Sequence, residues 1–378
     1  MMALTGMLSG LRVGLIGPLP PPAGGMANQT RQLAELLGGG QAQVQLVQTN
    51  APYKPAWVGR IPLARAIVRL LPYLLQLWRT AGRSDVMHVM ANSGWSWHLF
   101  AAPAIWVARL RRTPVVVNYR GGEAESFLGR NRRVVGWSLK QTSRLIVPSG
   151  FLQAVFAGHG LACEVVPNII DLARFHPAAS TRSASSLPSA APHVLVARNL
   201  EAIYDNTTAL RAFALVLQQC PQARMTIAGT GPQEAELRQL CQQLGLAAAV
   251  RFCGRIDRDE MATLLRHCSV ALNPSRVDNM PNSVLEALAS GVPVVSTRVG
   301  GVPHIVQDGV TALLVPPQDP PAMAAALLRL LNDPALAAQL AQAGLHEVQR
   351  YTWERVAPQW AAVYRAALAG PPCAAAST

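Results

Sequence analysis

Short β-rich apolar runs alternate with helical periodicity along these 378 residues, a pattern that predicts parallel sheets joined by crossover helices. Residues 11–16 read as a first strand, 18–25 as a loop, 26–37 as a helix stopped by Gly38, Gly39 and Gly40, and 43–48 as a second strand. Strands at 85–90, 114–118, 143–148 and 163–167 complete a first α/β domain over residues 1–178. Residues 179–192, rich in Ser, Ala and Pro, read as a linker. Strands at 193–197, 225–228, 250–253, 270–273 and 294–296 build a second domain over 193–352. An amphipathic helix from Trp353 to about Leu368, within 353–370, is expected to cross back to the first domain, and 371–378 reads as a disordered tail. Two such doubly wound domains would leave a cleft at the carboxyl ends of their strands, where ligands bind in this architecture.

Hydrophobic residues make up 50% of the chain and charged residues 14%, which supports two buried cores and excludes a disordered protein. The six cysteines are scattered without the spacing of a zinc site or a redox dithiol, so reduced thiols in a cytoplasmic protein are expected. No metal is expected. The N-terminus lacks the basic start of a secretory leader, and the most apolar stretch, 61–78, is interrupted by Arg65, Arg69, Pro62 and Pro72. Charge is uneven: residues 1–180 hold 18 Arg and Lys against 6 Asp and Glu, whereas residues 181–378 hold 15 against 14. The first half is therefore the basic surface, suited to an anionic partner.

Three segments could carry chemistry. Gly24 and Gly25 follow the first strand and open a helix, where backbone N–H groups and the helix dipole can hold an anion, or where a plain turn suffices. The run Gly229-Thr230-Gly231-Pro232 closes another strand and is either a tight turn or a nucleotide contact. The third runs from Asn273 to Val295 as strand, loop, helix, Gly291 and strand. It places Asp278 in the loop and Glu286 in the first helical turn, with Met280, Pro281 and Asn282 at the helix start, where loop backbone and helix N-terminus can face a sugar and its diphosphate. The local alternatives are a turn for Asp278 and a Ser283-x-x-Glu286 capping box for Glu286. Asp257-Arg-Asp259 mimics a metal-binding Asp-x-Asp, but with Glu260 it reads as a helix cap.

The third segment resembles the Glu-x7-Glu signature of the retaining glycosyltransferase family 4 and its following Glu-Ala-x-Ala-x-Gly-x-Pro-Val-Val. Gly300-Gly301 through Asp308-Gly309, Pro167-Asn168 and Val196-Ala197-Arg198 are similar to further family motifs. The likeness covers almost the whole second domain and is looser in the first. It implies a GT-B fold, two Rossmann-like domains facing across a cleft, with retention at the anomeric carbon and no required metal. It further implies that Glu286 binds the donor ribose, Asp278 the transferred sugar, Arg198 the diphosphate, Gly25 the phosphates from the opposite domain, and the backbone from Gly254 to Ile256 the base.

Three departures stand out. The first acid is Asp278 rather than Glu, Tyr204 stands where the family has a phosphate-binding Lys, and Arg120 stands where it often has a His. Residues 193–352 contain no lysine, so Arg120 is expected to supply the missing charge, a salt bridge to Glu123 being the alternative. The expected donor is a nucleoside diphosphate sugar, used as substrate with no cofactor. By analogy the acceptor is a saccharide or lipid-linked intermediate of surface polysaccharide synthesis. The arginine- and tryptophan-bearing stretches 61–83 and 95–112 suggest contact with an anionic membrane surface at the inner face of the cell membrane, and no nucleic-acid motif appears. A catalytically weakened sugar-nucleotide binder and a basic membrane or nucleic-acid binder are the rival readings.

Overall fold

The computed structural model describes residues 6–21, 24–51, 62–178 and 191–370, with the backbone alone for 62–68. Most of the linker assigned to 179–192, and the tail 371–378, lie outside the described residues. The chain divides into two compact units, Met1–Ile169 with Trp353–Thr378, and Ile170–Thr352. Within the second unit, the Ile170 N–H donates to the Tyr351 carbonyl at 2.9 Å.

Unit 1 is built on six parallel strands: β1 (Arg12–Gly17), β2 (Gln43–Gln48), β3 (Val86–Ala91), β4 (Val115–Tyr119), β5 (Arg144–Val147) and β6 (Glu164–Val165). Their order is β2-β1-β3-β4-β5-β6. Strands β3 and β4, VMHVMA and VVVNY, are buried along their whole length, as expected of strands covered on both faces. The helices are α1 (Gly25–Gly39), α2 (Pro62–Ala81), α3 (Ala102–Leu110), α4 (Ala124–Leu139) and α5 (Gly150–Gly158). Tyr73, Leu77, Ile105, Phe127 and Phe156 of α2–α5 pack into one core. Leu33 and Leu37 of α1 pack into another with Val13, Leu15, Val116 and Ile146.

Unit 2 repeats the design with β7 (His193–Ala197), β8 (Arg224–Ala228), β9 (Val250–Gly254), β10 (Val270–Asn273), β11 (Val294–Thr297) and β12 (Leu313–Val315). All are parallel, in the order β12-β11-β10-β7-β8-β9. The three-residue β12 was absent from the sequence-based assignment, because three apolar residues do not form a recognisable run. Helices α6 (Asn206–Gln219), α7 (Glu234–Gln243), α8 (Arg258–His267), α9 (Asn282–Ala289), α10 (Pro320–Asn332) and α11 (Pro334–Glu347) surround the sheet. The last helix, α12 (Trp353–Ala369), belongs to unit 1 and buries Val356, Trp360, Tyr364 and Ala367 in the α1 core.

Candidate active site

The chemistry-bearing residues of unit 2 gather where β7, β8, β9 and β10 end. Arg198 directly follows β7, and its Nε–H donates to Asn273 Oδ1 at 2.8 Å. Its Nη2 donates to the Asp278 carboxylate in an ion pair whose two side chains are each only 11% exposed. The Tyr204 ring lies 5.2 Å from the guanidinium carbon, a cation–π distance. Two residues to which the family resemblance gives separate roles are therefore bonded to each other. Burial raises the Asp278 carboxyl above its ordinary value, and the Arg198 charge opposes that rise. Tyr204 ends a 3₁₀ turn, Ala202–Tyr204, and Asp205, at φ +44°, caps α6 by accepting from the Thr208 N–H and hydroxyl. The turn is tied to the Asp278 loop by the Arg276 N–H, which donates to the Ile203 carbonyl at 2.8 Å.

Glu286 differs from the sequence-based expectation in one respect. Helix α9 starts at Asn282 with Pro281 as its N-cap, and no side chain caps it, so the Ser283-x-x-Glu286 capping box does not form. Pro281, at φ −67° and ψ 115°, sets the helix start two residues before Ser283 could act as the cap, and Glu286 becomes the fifth helical residue rather than a member of the first turn. Its half-buried carboxylate has no hydrogen-bond or ion-pair partner among the described residues. Burial lifts its pKa to about 7, against the positive charges of Arg258, Arg198 and Arg174. Sequence reasoning missed Arg258 and Arg174. Arg258 opens α8 beside the Asp257–Glu260 capping box and lies 5.4 Å over the Phe175 ring, with its buried Nε lacking a partner among the described residues. Arg174 pairs with Asp259 at 2.8 Å and Asp171 at 3.5 Å. No local sequence signal marks either, because their charges come to act on Glu286 only through folding.

The remaining sequence-assigned positions have structural reasons of their own. Met280 is buried in the core of unit 2, so only its backbone is left to face a ligand. A Cβ on Gly231 would lie 2.3 Å from the Leu200 carbonyl oxygen, and one on Gly229 2.0 Å from that of Arg198. These glycines thus let the turn after β8 press on the Arg198 turn. Gly231→Ala is expected to destabilise the ligand-free protein by about 1–3 kcal/mol, the usual cost of overpacking. An unchanged urea midpoint would show that the turn can move aside. Gly254, at φ +69°, accepts from the Gly229 N–H at 2.8 Å, and Ile256 packs partly against the unit 2 core. Asp257 caps α8 by accepting from the Asp259 and Glu260 N–H groups, at 2.9 and 2.8 Å. Among the described residues no group of three His, Cys, Asp or Glu could hold a metal ion.

In unit 1, Gly24 is the extended N-cap of α1 and Gly25 its first residue, with no side-chain cap. Arg120 follows β4, donating from Nε to Asn118 Oδ1 at 3.3 Å and from Nη1 to Asn168 Oδ1. Burial lowers its pKa to about 10.

Two parallel six-stranded α/β units with charged loops at their strand ends define a GT-B glycosyltransferase fold. Residues 23–174 match the family described as Glycosyltransferase Family 4, and residues 191–333 match Glycosyl transferases group 1. A glycogen synthase from Mycobacterium tuberculosis is 31% identical over 302 residues, 76% of this chain and 70% of the relative. A D-inositol 3-phosphate glycosyltransferase from Streptomyces avermitilis is 33% identical over 224 residues, 56% of this chain and 48% of the relative. A sucrose-phosphate synthase structure from Thermosynechococcus elongatus superposes with a TM-score of 0.73 at 25% identity, covering 94% of this chain and 98% of that one. The chain belongs to the family 4 glycosyltransferases. Its match spans about half the length of the D-inositol 3-phosphate glycosyltransferases it resembles.

Proposed function

We propose that the protein transfers a sugar from a nucleoside diphosphate sugar to an acceptor hydroxyl, with retention at the anomeric carbon. The observation that carries this is the Glu286 carboxylate, which is half-buried, has no partner among the described residues and lies in the field of three arginines. A carboxylate so placed can accept two hydroxyls of a ribose, while the uncapped start of α9 offers backbone donors to a diphosphate. Arg198 and the backbone N–H groups of Met280 and Asn282, with Pro281 setting the turn between them, hold the diphosphate, Asp278 the sugar hydroxyls, and the Gly254–Ile256 backbone the base. Gly24 and Gly25 at the start of α1, and Arg120, act on the phosphates. Catalysis is electrostatic: fixed donors stabilise the charge that develops on the leaving diphosphate. Titration with UDP-, GDP-, ADP- and dTDP-sugars, followed by their slow hydrolysis, tests this. Saturable binding of one nucleotide class is expected, and failure of all four to bind would overturn the donor reading.

The acceptor we propose is a lipid-linked saccharide met at an anionic membrane face, which makes the enzyme cytoplasmic and peripheral. Among the described residues no helix is long and apolar enough to cross a membrane. What supports the membrane face is the outer side of α2, α3 and α4, which exposes Leu71, Leu75, Trp78, Leu110, Val134 and Trp137. Arg111 lies 4.7 Å over Trp78, and Trp106 is 4.2 Å from Trp137, so these helices are joined by interfacial side chains. Co-sedimentation with phosphatidylglycerol vesicles is expected to exceed that with phosphatidylcholine, and a Leu75→Ser/Trp137→Ser variant to lose it. Equal partitioning onto both vesicles would remove the electrostatic part of the proposal.

A further inference from the structure

In unit 1, strands β3 and β4 are apolar but for His88, Asn118 and the Tyr119 hydroxyl, and both His88 and Asn118 are fully buried. The register pairs Met90 with Asn118 and His88 with Val116, so His88 and Asn118 sit two positions apart on one face of the sheet. Helix α12 packs on that same face, setting Trp360 4.8 Å from the His88 ring and the Tyr364 hydroxyl 2.8 Å from His88 Nδ1. Asn118 Nδ2 lies 3.3 Å from His88 Nε2, and Asn118 Oδ1 receives the Arg120 Nε–H.

The direction of every bond follows from the one at Arg120. A guanidinium only donates, so the Asn118 oxygen must face it and the Asn118 amide must face the imidazole. His88 Nε2 is then an acceptor, which puts the ring proton on Nδ1, from where it is donated to the Tyr364 oxygen. All three bonds point from Arg120 toward α12, so each polarises the next. Burial, helped by the Arg120 charge, drives the His88 pKa down to about 3, so the ring is neutral throughout the working pH range.

We infer that His88 and Tyr364 are positioning residues for Arg120: through Asn118 they form one directed hydrogen-bond chain that fixes the guanidinium plane, so helix α12 tunes a residue of the candidate active site. This rests on the reading of Arg120 as a group acting on the donor phosphates. Valine or leucine at 88 and 118 would spare the core two polar side chains, so their presence needs a return beyond packing.

Nitrogen-15 NMR of histidine-labelled wild-type protein tests the chain without any variant or ligand. The expected result is a neutral His88 ring protonated at Nδ1, and a ring protonated at Nε2 would overturn the inference. Tyr364→Phe keeps the aromatic packing and removes the terminal acceptor. Its turnover of the nucleotide sugar selected in the panel is expected to fall about five-fold, the size of one ordinary hydrogen bond, with donor affinity unchanged. In an Arg120→Ala background the same change is expected to do nothing further. An equal loss in both backgrounds would mark a purely structural role and overturn the inference. A normal Tyr364→Phe turnover beside a crippled Arg120→Ala would overturn it as well. Should Arg120→Ala itself turn over normally, the reading of Arg120 fails instead, whatever the His88 tautomer.

Discussion

Asp278→Ala is expected to destabilise the protein by about 3–5 kcal/mol, because it leaves the Arg198 guanidinium buried without its counter-charge. The pair joins the end of β7 to the loop after β10, and both side chains are 11% exposed, so water cannot replace the lost partner. Arg198→Ala should cost a comparable amount by leaving the carboxylate alone. An Arg198→Met/Asp278→Leu double variant is expected to recover most of the loss, since well-packed apolar residues can replace a buried ion pair at little cost. Urea unfolding of the full chain measures all three. A double variant no better than the single ones would mean that packing rather than charge dominates there. The same pairing bears on function. In the ligand-free protein the charge of Arg198 is already shared with Asp278 and Asn273, so under the proposed donor reading a diphosphate competes for it.

The second large effect is at Glu286, and it has two signs. Glu286→Gln is expected to weaken nucleotide sugar binding by about 1.5–3 kcal/mol, the range for hydrogen bonds to a charged group. It is also expected to stabilise the ligand-free protein at pH 8. The folded carboxyl has a pKa of about 7, above its ordinary value of 4.5, so between those pH values the folded state binds more protons than the unfolded. Stability from this group is therefore complete below about pH 4.5 and is lost as pH rises toward 7. Glutamine carries no charge and escapes that loss. Donor affinity of the wild type should rise as pH passes through about 7, where the folded carboxylate forms. Thermal melts and donor titrations at pH 6 and pH 8 check both signs. A Glu286→Gln protein that melts lower at pH 8 would show that the arginine field, not desolvation, controls this side chain.

Much of this could be read from the sequence because its signals are local. Continuous apolar runs such as VVVNY mark strands buried on both faces, and the segment from Asn273 to Val295 carries loop, helix and strand in one stretch. The Asp257–Glu260 capping box spans four residues and was equally legible. Glu286 is legible as a candidate, but its place beyond the first turn and the absence of the alternative capping box are not, because Pro281 sets the helix start and no rule of spacing reveals that a carboxylate lacks a partner. Arg258 and Arg174 were invisible for the same reason, and β12 was too short to stand out.

By itself, then, the sequence determined two parallel α/β units, the family and the candidate carboxylates, all properties of residues near one another along the chain. Only the tertiary structure decided which acid is committed and which is available. Asp278 meets Arg198 across 80 positions, and His88 meets Tyr364 across 276, pairings that exist only after the sheets and α12 have packed. Burial then sets their charge states, because desolvation depends on everything that surrounds a group and on nothing it carries alone.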